Sequence, residues 1–182
     1  MIERDEESVR RMLEIAREIE KRMEGYRLWS NMIPKETWNE NLRKYLSRKE
    51  WDDIRKKVYE RQGYKCSICQ KKTQLHCHER WSFDYENGLQ TLEGLMGLCF
   101  LCHMTNHLGY STSVLIPEGK LTRDDLVGHW MNVNGKSERE FEIHAKMAFD
   151  LWKIRSRMKW TVKDRNGNTI DEDYEDWMKN IP

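Results

Sequence analysis

Apolar residues along the chain follow two periods, and these divide it into elements. Across residues 4–24, Val9, Met12, Leu13, Ala16, Ile19 and Met23 recur three and four apart, the spacing of one helical face, and Gly25 stands where such a helix would stop. A loop over Ser30–Pro34 leads to a short helical stretch over residues 36–45. Ser47-Arg48-Lys49-Glu50 has the pattern of a capping box, so a second helix is expected through Trp51, Ile54 and Val58 to Gln62, stopped by Gly63. Residues 75–83 and 91–98 read as paired short strands, and residues 100–107 as a helix. Further on, Thr122 caps a helix ending near Asn134-Gly135, and Ser137-Glu138-Arg139-Glu140 opens a long helix through Phe141, Ala145, Phe149, Trp152 and Ile154. Trp160-Thr161-Val162 adds a strand before an Asn166-Gly167 turn. The expected class is α+β: an N-terminal helical extension (1–46), a central core (47–110), a C-terminal helical region (111–162) and an acidic tail (163–182).

Composition narrows the class. The chain has 182 residues, 35% charged and 38% hydrophobic, yet eight Trp, seven Tyr and ten Met supply enough apolar surface for a folded core. No apolar run approaches the roughly 20 residues of a membrane helix. The opening MIERDEESVRR is charged throughout and does not read as a secretory signal, so a soluble cytoplasmic protein with no membrane partner is expected. The first helix carries no visible chemistry; packing, or a homodimer through it, is its simplest role. Net charge is only +1, but residues 43–80 hold 12 Lys or Arg against five Asp or Glu. That local excess suits a phosphate-contacting surface, with Arg55, Lys56, Lys57, Arg61, Lys71, Lys72 and Arg80 as candidates, although a solvated helix face would look the same.

The cysteines lie inside this basic stretch and just beyond it. Cys66/Cys69 and Cys99/Cys102 form two C-x-x-C pairs separated by 29 residues. Such pairs flanking a two-stranded segment are a strong signal for four thiolates closing a tetrahedral, structural Zn²⁺ site. A redox role is disfavoured, because no thioredoxin-like βαβ pattern surrounds them. Histidines follow the same elements. His103 and His107 are four apart on the expected helix, so their imidazoles share one face. Opposite lies Leu75-His76-Cys77-His78-Glu79, where His76 and His78 point to one face of a strand and Cys77 to the other. One strand histidine with two helix histidines makes a three-ligand site with an open coordination position, as metal catalysis requires.

Three segments carry a resemblance: W-D-D-I-R-K-K-V-Y-E-R-Q-G-Y-K-C-S-I-C (51–69), L-H-C-H-E (75–79) and L-C-F-L-C-H-M-T-N-H (98–107). Together, over about residues 50–108, they resemble HNH endonucleases of the zinc-bearing, four-cysteine type, and the flanking regions resemble a little-characterised bacterial and phage subgroup. The resemblance implies a ββα-metal core and hydrolysis of phosphodiester bonds in DNA, in a bacterial cell or encoded by a phage. It implies a catalytic divalent ion (Mg²⁺, Mn²⁺, Ni²⁺ or Zn²⁺) held by His78, His103 and His107. The family's general-base histidine falls at Glu79, making His78 and Glu79 the catalytic candidates, and its central asparagine falls near Gly94. In the alternative register Cys77 takes the metal position and His78 the base. Against the nuclease stands a module on the same scaffold that has lost cleavage and binds nucleic acid, a partner protein or a small phosphorylated ligand. Metal count separates the two, since only the enzyme needs a second, exchangeable ion.

Overall fold

The computed structural model describes residues 6–168, and the acidic segment from residue 169 onward lies outside them. Helix α1 (Glu6–Glu24) leads through two 3₁₀ turns, Lys35–Thr37 and Leu42–Lys44, to α2 (Arg48–Arg61). A hairpin follows, β1 (His76–Asp84) and β2 (Leu89–Leu98), and then α3 (Phe100–Asn106). A short helical turn α4 (Leu108–Tyr110) runs into a π-helical turn at Ser111–Leu115. Helices α5 (Arg123–Asn134) and α6 (Glu138–Arg155) and strand β3 (Thr161–Asp164) complete an α+β fold.

Local chemistry sets the boundaries. Ser47 and Ser137 each form a reciprocal capping box, with Glu50 and Glu140, and the Thr122 hydroxyl accepts from the Asp125 amide at the start of α5. Gly63 and Gly135 take positive φ after α2 and α5, where a side chain would be strained. The stretch expected as one short helix over 36–45 is instead the two 3₁₀ turns. Pro34 opens the first, and the Asn41 side chain caps the second by accepting from the Arg43 amide.

The sheet has the order β1-β2-β3, with β1 and β2 antiparallel and β3 parallel to β2. Cys77, Glu79, Trp81 and Phe83 share one face of β1; His76, His78 and Arg80 share the other. Helix α2 covers the first face, where Ile54 and Val58 join a buried cluster with Cys77, Trp81 and Leu95. Helix α3 faces the second. Leu98, Leu108, Leu126, Trp130 and Phe141 lie in the other buried cluster with Met23, so the N- and C-terminal helical regions pack into the same interior as the central core. The apolar face of α1 is covered within the chain: Ala16 and Met23 are fully buried, and the Glu20 carboxylate lies 2.7 Å from the buried guanidinium of Arg155 on α6. The packing role expected of this helix is therefore met internally, and a homodimer would need a different face of it.

Candidate metal centres and the adjoining cleft

The first C-x-x-C forms a tight knuckle. The Cys66 amide donates to Lys71 O (3.0 Å), the Gln70 amide to Cys66 O (2.9 Å), and Gln70 sits at φ +63°. Strand β2 holds the knuckle in place: the Ser67 amide donates to Gly97 O (3.0 Å), while the Gly97 amide donates to Gln62 Oε1 (2.8 Å). The second C-x-x-C starts α3, where Cys99 is the N-cap and its sulfur accepts from the Cys102 amide (3.4 Å). All four sulfurs lie within 4.8 Å of one another, so these cysteines are placed to hold one metal ion, and zinc fits the donor set. Their electrostatics point the same way. The Cys102 and Cys99 thiols donate to Cys66 and hold it far below the ordinary thiol range, and the same contacts push Cys102 far above it. A bound cation would favour the deprotonated form of all four thiols.

One residue here had no sequence signal. His129 on α5 brings its Nε2 to 3.1 Å from Cys102 Sγ and 3.9 Å from Cys99 Sγ. Burial holds this imidazole below its usual pKa. A neutral ring that donates Nε2–H to a ligating sulfur would disperse thiolate charge, as partners of metal ligands do.

The histidines form the second centre. His78 from β1 and His103 from α3 meet His107, which caps the C-terminus of α3, with ligand nitrogens within 4.8 Å of one another. Ring centroids are 5.3 Å (His78–His103), 5.0 Å (His78–His107) and 4.6 Å (His103–His107), each pair nearly perpendicular. His76 stacks on His103 at 5.3 Å and 16°. Burial, the neighbouring imidazoles and the charge of Arg43 hold His78 well below the usual histidine range and His103 near 3. Burial and Arg43 bring His107 to about 4. Three neutral rings whose ligand nitrogens lie this close together suit a divalent cation. His103 Nδ1 is buried without a hydrogen-bond partner among the described residues.

Other candidates lie elsewhere. Glu79 does not join His78: it projects from the opposite face of β1, where its Oε1 accepts from the Leu42 amide (2.8 Å), and burial raises its pKa. It cannot serve as the base beside His78. Strand alternation is the reason, since neighbouring residues point to opposite sides. Cys77, the metal ligand of the alternative register, is buried under α2 on the Glu79 face, and burial pushes its thiol up to about 12. Gly94, at the expected asparagine position, lies at a β-bulge opposite Arg80 with φ +142°, a backbone that disfavours any side chain. Of the basic candidates, Arg55, Lys56, Lys57 and Arg61 ride on α2, across the hairpin from the histidines, and Arg55 pairs with Asp52 at 2.7 Å. Lys71 and Lys72 are exposed at the knuckle. Arg80 is exposed on the His78 face, and Arg43, exposed beside the edge strand β1, is the cation whose field reaches all three histidines.

A cleft of about 540 Å³ opens against His78 and His107. Residues 31–33, the turn around Tyr110 and Val114, and Phe149 and Trp152 of α6 form its walls. No family model, no curated protein and no solved structure matches this chain.

Proposed function

We propose that the protein is a metal-dependent phosphodiester hydrolase of the HNH endonuclease type acting on DNA, with a structural zinc on Cys66, Cys69, Cys99 and Cys102. The gathering of His78, His103 and His107 within 4.8 Å of one another, on the helix that begins in the second C-x-x-C and the strand facing it, carries this reading. The zinc would clamp the knuckle to the start of α3 and so fix His103 against His78. A divalent cation on the three histidines would polarise a phosphate oxygen and make water a stronger nucleophile. The chain's own residues then orient and neutralise: Arg80, exposed on the His78 face of β1, is a candidate phosphate contact, Arg43 adds its positive field from a seat 5.0 Å over the Trp51 ring of α2, and His76, stacked on His103, is the remaining imidazole within reach to hold a proton.

One observation favours a second reading. With Glu79 turned to Leu42 and Gly94 without a side chain, both positions that would supply and orient a base are vacated. A binding module that has lost cleavage needs neither.

Zinc-loaded protein incubated with supercoiled plasmid and with single-stranded DNA, under Mg²⁺, Mn²⁺, Ni²⁺ or chelator, separates the two. The nuclease reading expects metal-dependent cutting that His103→Ala abolishes while keeping its zinc, and that Glu79→Gln retains. No cleavage by folded, zinc-loaded wild type under any metal would overturn it in favour of the module.

A further inference from the structure

The cleft beside the histidine centre is unlike a surface for duplex DNA. Its polar content is small, and among the described residues no Asp or Glu lines it and Lys35 is its one lysine or arginine. Five of the lining residues are Trp, Tyr or Phe. Trp38 and Tyr110 stand at its margin, 69% and 47% exposed, and Phe149 and Trp152 lie along α6. Trp38 is the most exposed large apolar side chain among the described residues, and it and Tyr110 flank one cavity that opens onto a candidate metal centre, whereas the other two exposed aromatics, Tyr64 and Phe100, do not line it. One wall includes the π-helical turn at Ser111–Leu115, a distortion frequent at functional sites. The volume falls within the roughly 300–1,000 Å³ of small-ligand clefts, too narrow for a duplex and adequate for a nucleotide.

We infer that this cleft binds an unpaired nucleotide of a single-stranded nucleic acid, with its base stacked on Trp38 and Tyr110 and its phosphate directed to Lys35 and the histidines. Aromatic walls take any base through its π-face. A lining without a carboxylate among the described residues admits a phosphate, and His78 and His107 place that phosphate at the candidate metal centre. A neutral apolar ligand would use the walls but neither Lys35 nor the histidines. The inference rests on the nucleic-acid reading above and narrows its substrate to unpaired strands.

The test uses zinc-loaded full-length protein without added divalent ion. Its probes are a short DNA strand carrying 2-aminopurine, the RNA of that sequence, the matching duplex, and a strand with the central base removed. The expected result is fluorescence quenching by the single strands, with the duplex and the abasic strand binding at least tenfold more weakly. Trp38→Ala and Tyr110→Ala should each weaken single-strand binding by about five- to hundredfold. Both side chains are exposed, so zinc content and thermal midpoint should hold. Comparable RNA and DNA affinities support recognition of the base and phosphate alone; binding of DNA but not RNA supports an added sensing of the sugar within the same cleft. Equal binding of the duplex or the abasic strand, or unchanged affinity in both variants, would overturn the inference. Quenching without cleavage under any metal would remove the nuclease reading and leave this one; cleavage of duplex without quenching would do the reverse.

Discussion

Acidification should loosen one wall of the cleft through a single buried imidazole. His144 on α6 is 0% exposed and packs among Trp130, Tyr26 and Phe141, with ring centroids 5.0, 5.6 and 5.8 Å away. Its Nε2 accepts from the Ser30 amide (3.1 Å), and the Ser30 hydroxyl donates to Thr105 O of α3 (2.6 Å). The imidazole thus fixes the start of the 31–33 wall relative to the helix bearing His103. Burial lowers its pKa from 6.5 to about 4. Because the unfolded chain binds a proton below about 6.5 and the folded chain only below about 4, stability from this group is full above 6.5 and is lost as pH falls toward 4. Between those two values the loss at pH 5 amounts to about 2 kcal/mol. His144→Gln keeps an acceptor for Ser30 without the titration. Urea unfolding at pH 7.5 and pH 5.0 should show wild type losing about 2 kcal/mol more than the variant between the two conditions. The histidines of the metal centre are common to both proteins and cancel in the difference. Equal losses in the two proteins would refute the assignment of this pH dependence to His144.

Two further outcomes follow from packing. A Cβ on Gly97 would stand 2.5 Å from Gln62 Oε1, 3.0 Å from Tyr59 Cδ1 and 3.1 Å from Leu75 Cδ1, so Gly97→Ala should cost about 1–3 kcal/mol and weaken zinc retention, because the same residue anchors the knuckle; chelator competition together with a urea midpoint checks both, and unchanged zinc affinity would detach the knuckle from β2. Arg155 is fully buried, bonded to Glu20, Asn31, Met32 O and Tyr85, and its guanidinium lies 3.7 Å over the Phe83 ring. Arg155→Met should cost about 3–5 kcal/mol by stranding Glu20, and adding Glu20→Gln should recover part of that, read as a double-mutant cycle in chemical denaturation.

What the sequence by itself determined is local. Ser47, Thr122 and Ser137 marked helix starts because a cap is satisfied within one turn. The cysteine pairs and the four-residue spacing of His103 and His107 were legible because each pair lies on one rigid piece of backbone. Strand alternation even separated His76 and His78 from Cys77, and the same parity turns Glu79 away; only the resemblance to another family's motif suggested otherwise. The tertiary structure decided everything that depends on which distant pieces meet. His129 reaches Cys102 across 27 residues because α5 packs on α3. Residues 31–38 meet the histidines because the 3₁₀ turns run beside the edge strand β1, where the Leu42 amide takes Glu79 as acceptor. Basic residues that are neighbours in the sequence fall on opposite sides of the hairpin, so the charge excess does not form one phosphate-binding face. Spacing along the chain fixes which side chains share a surface, but burial of apolar faces against distant partners fixes which surfaces enclose a site.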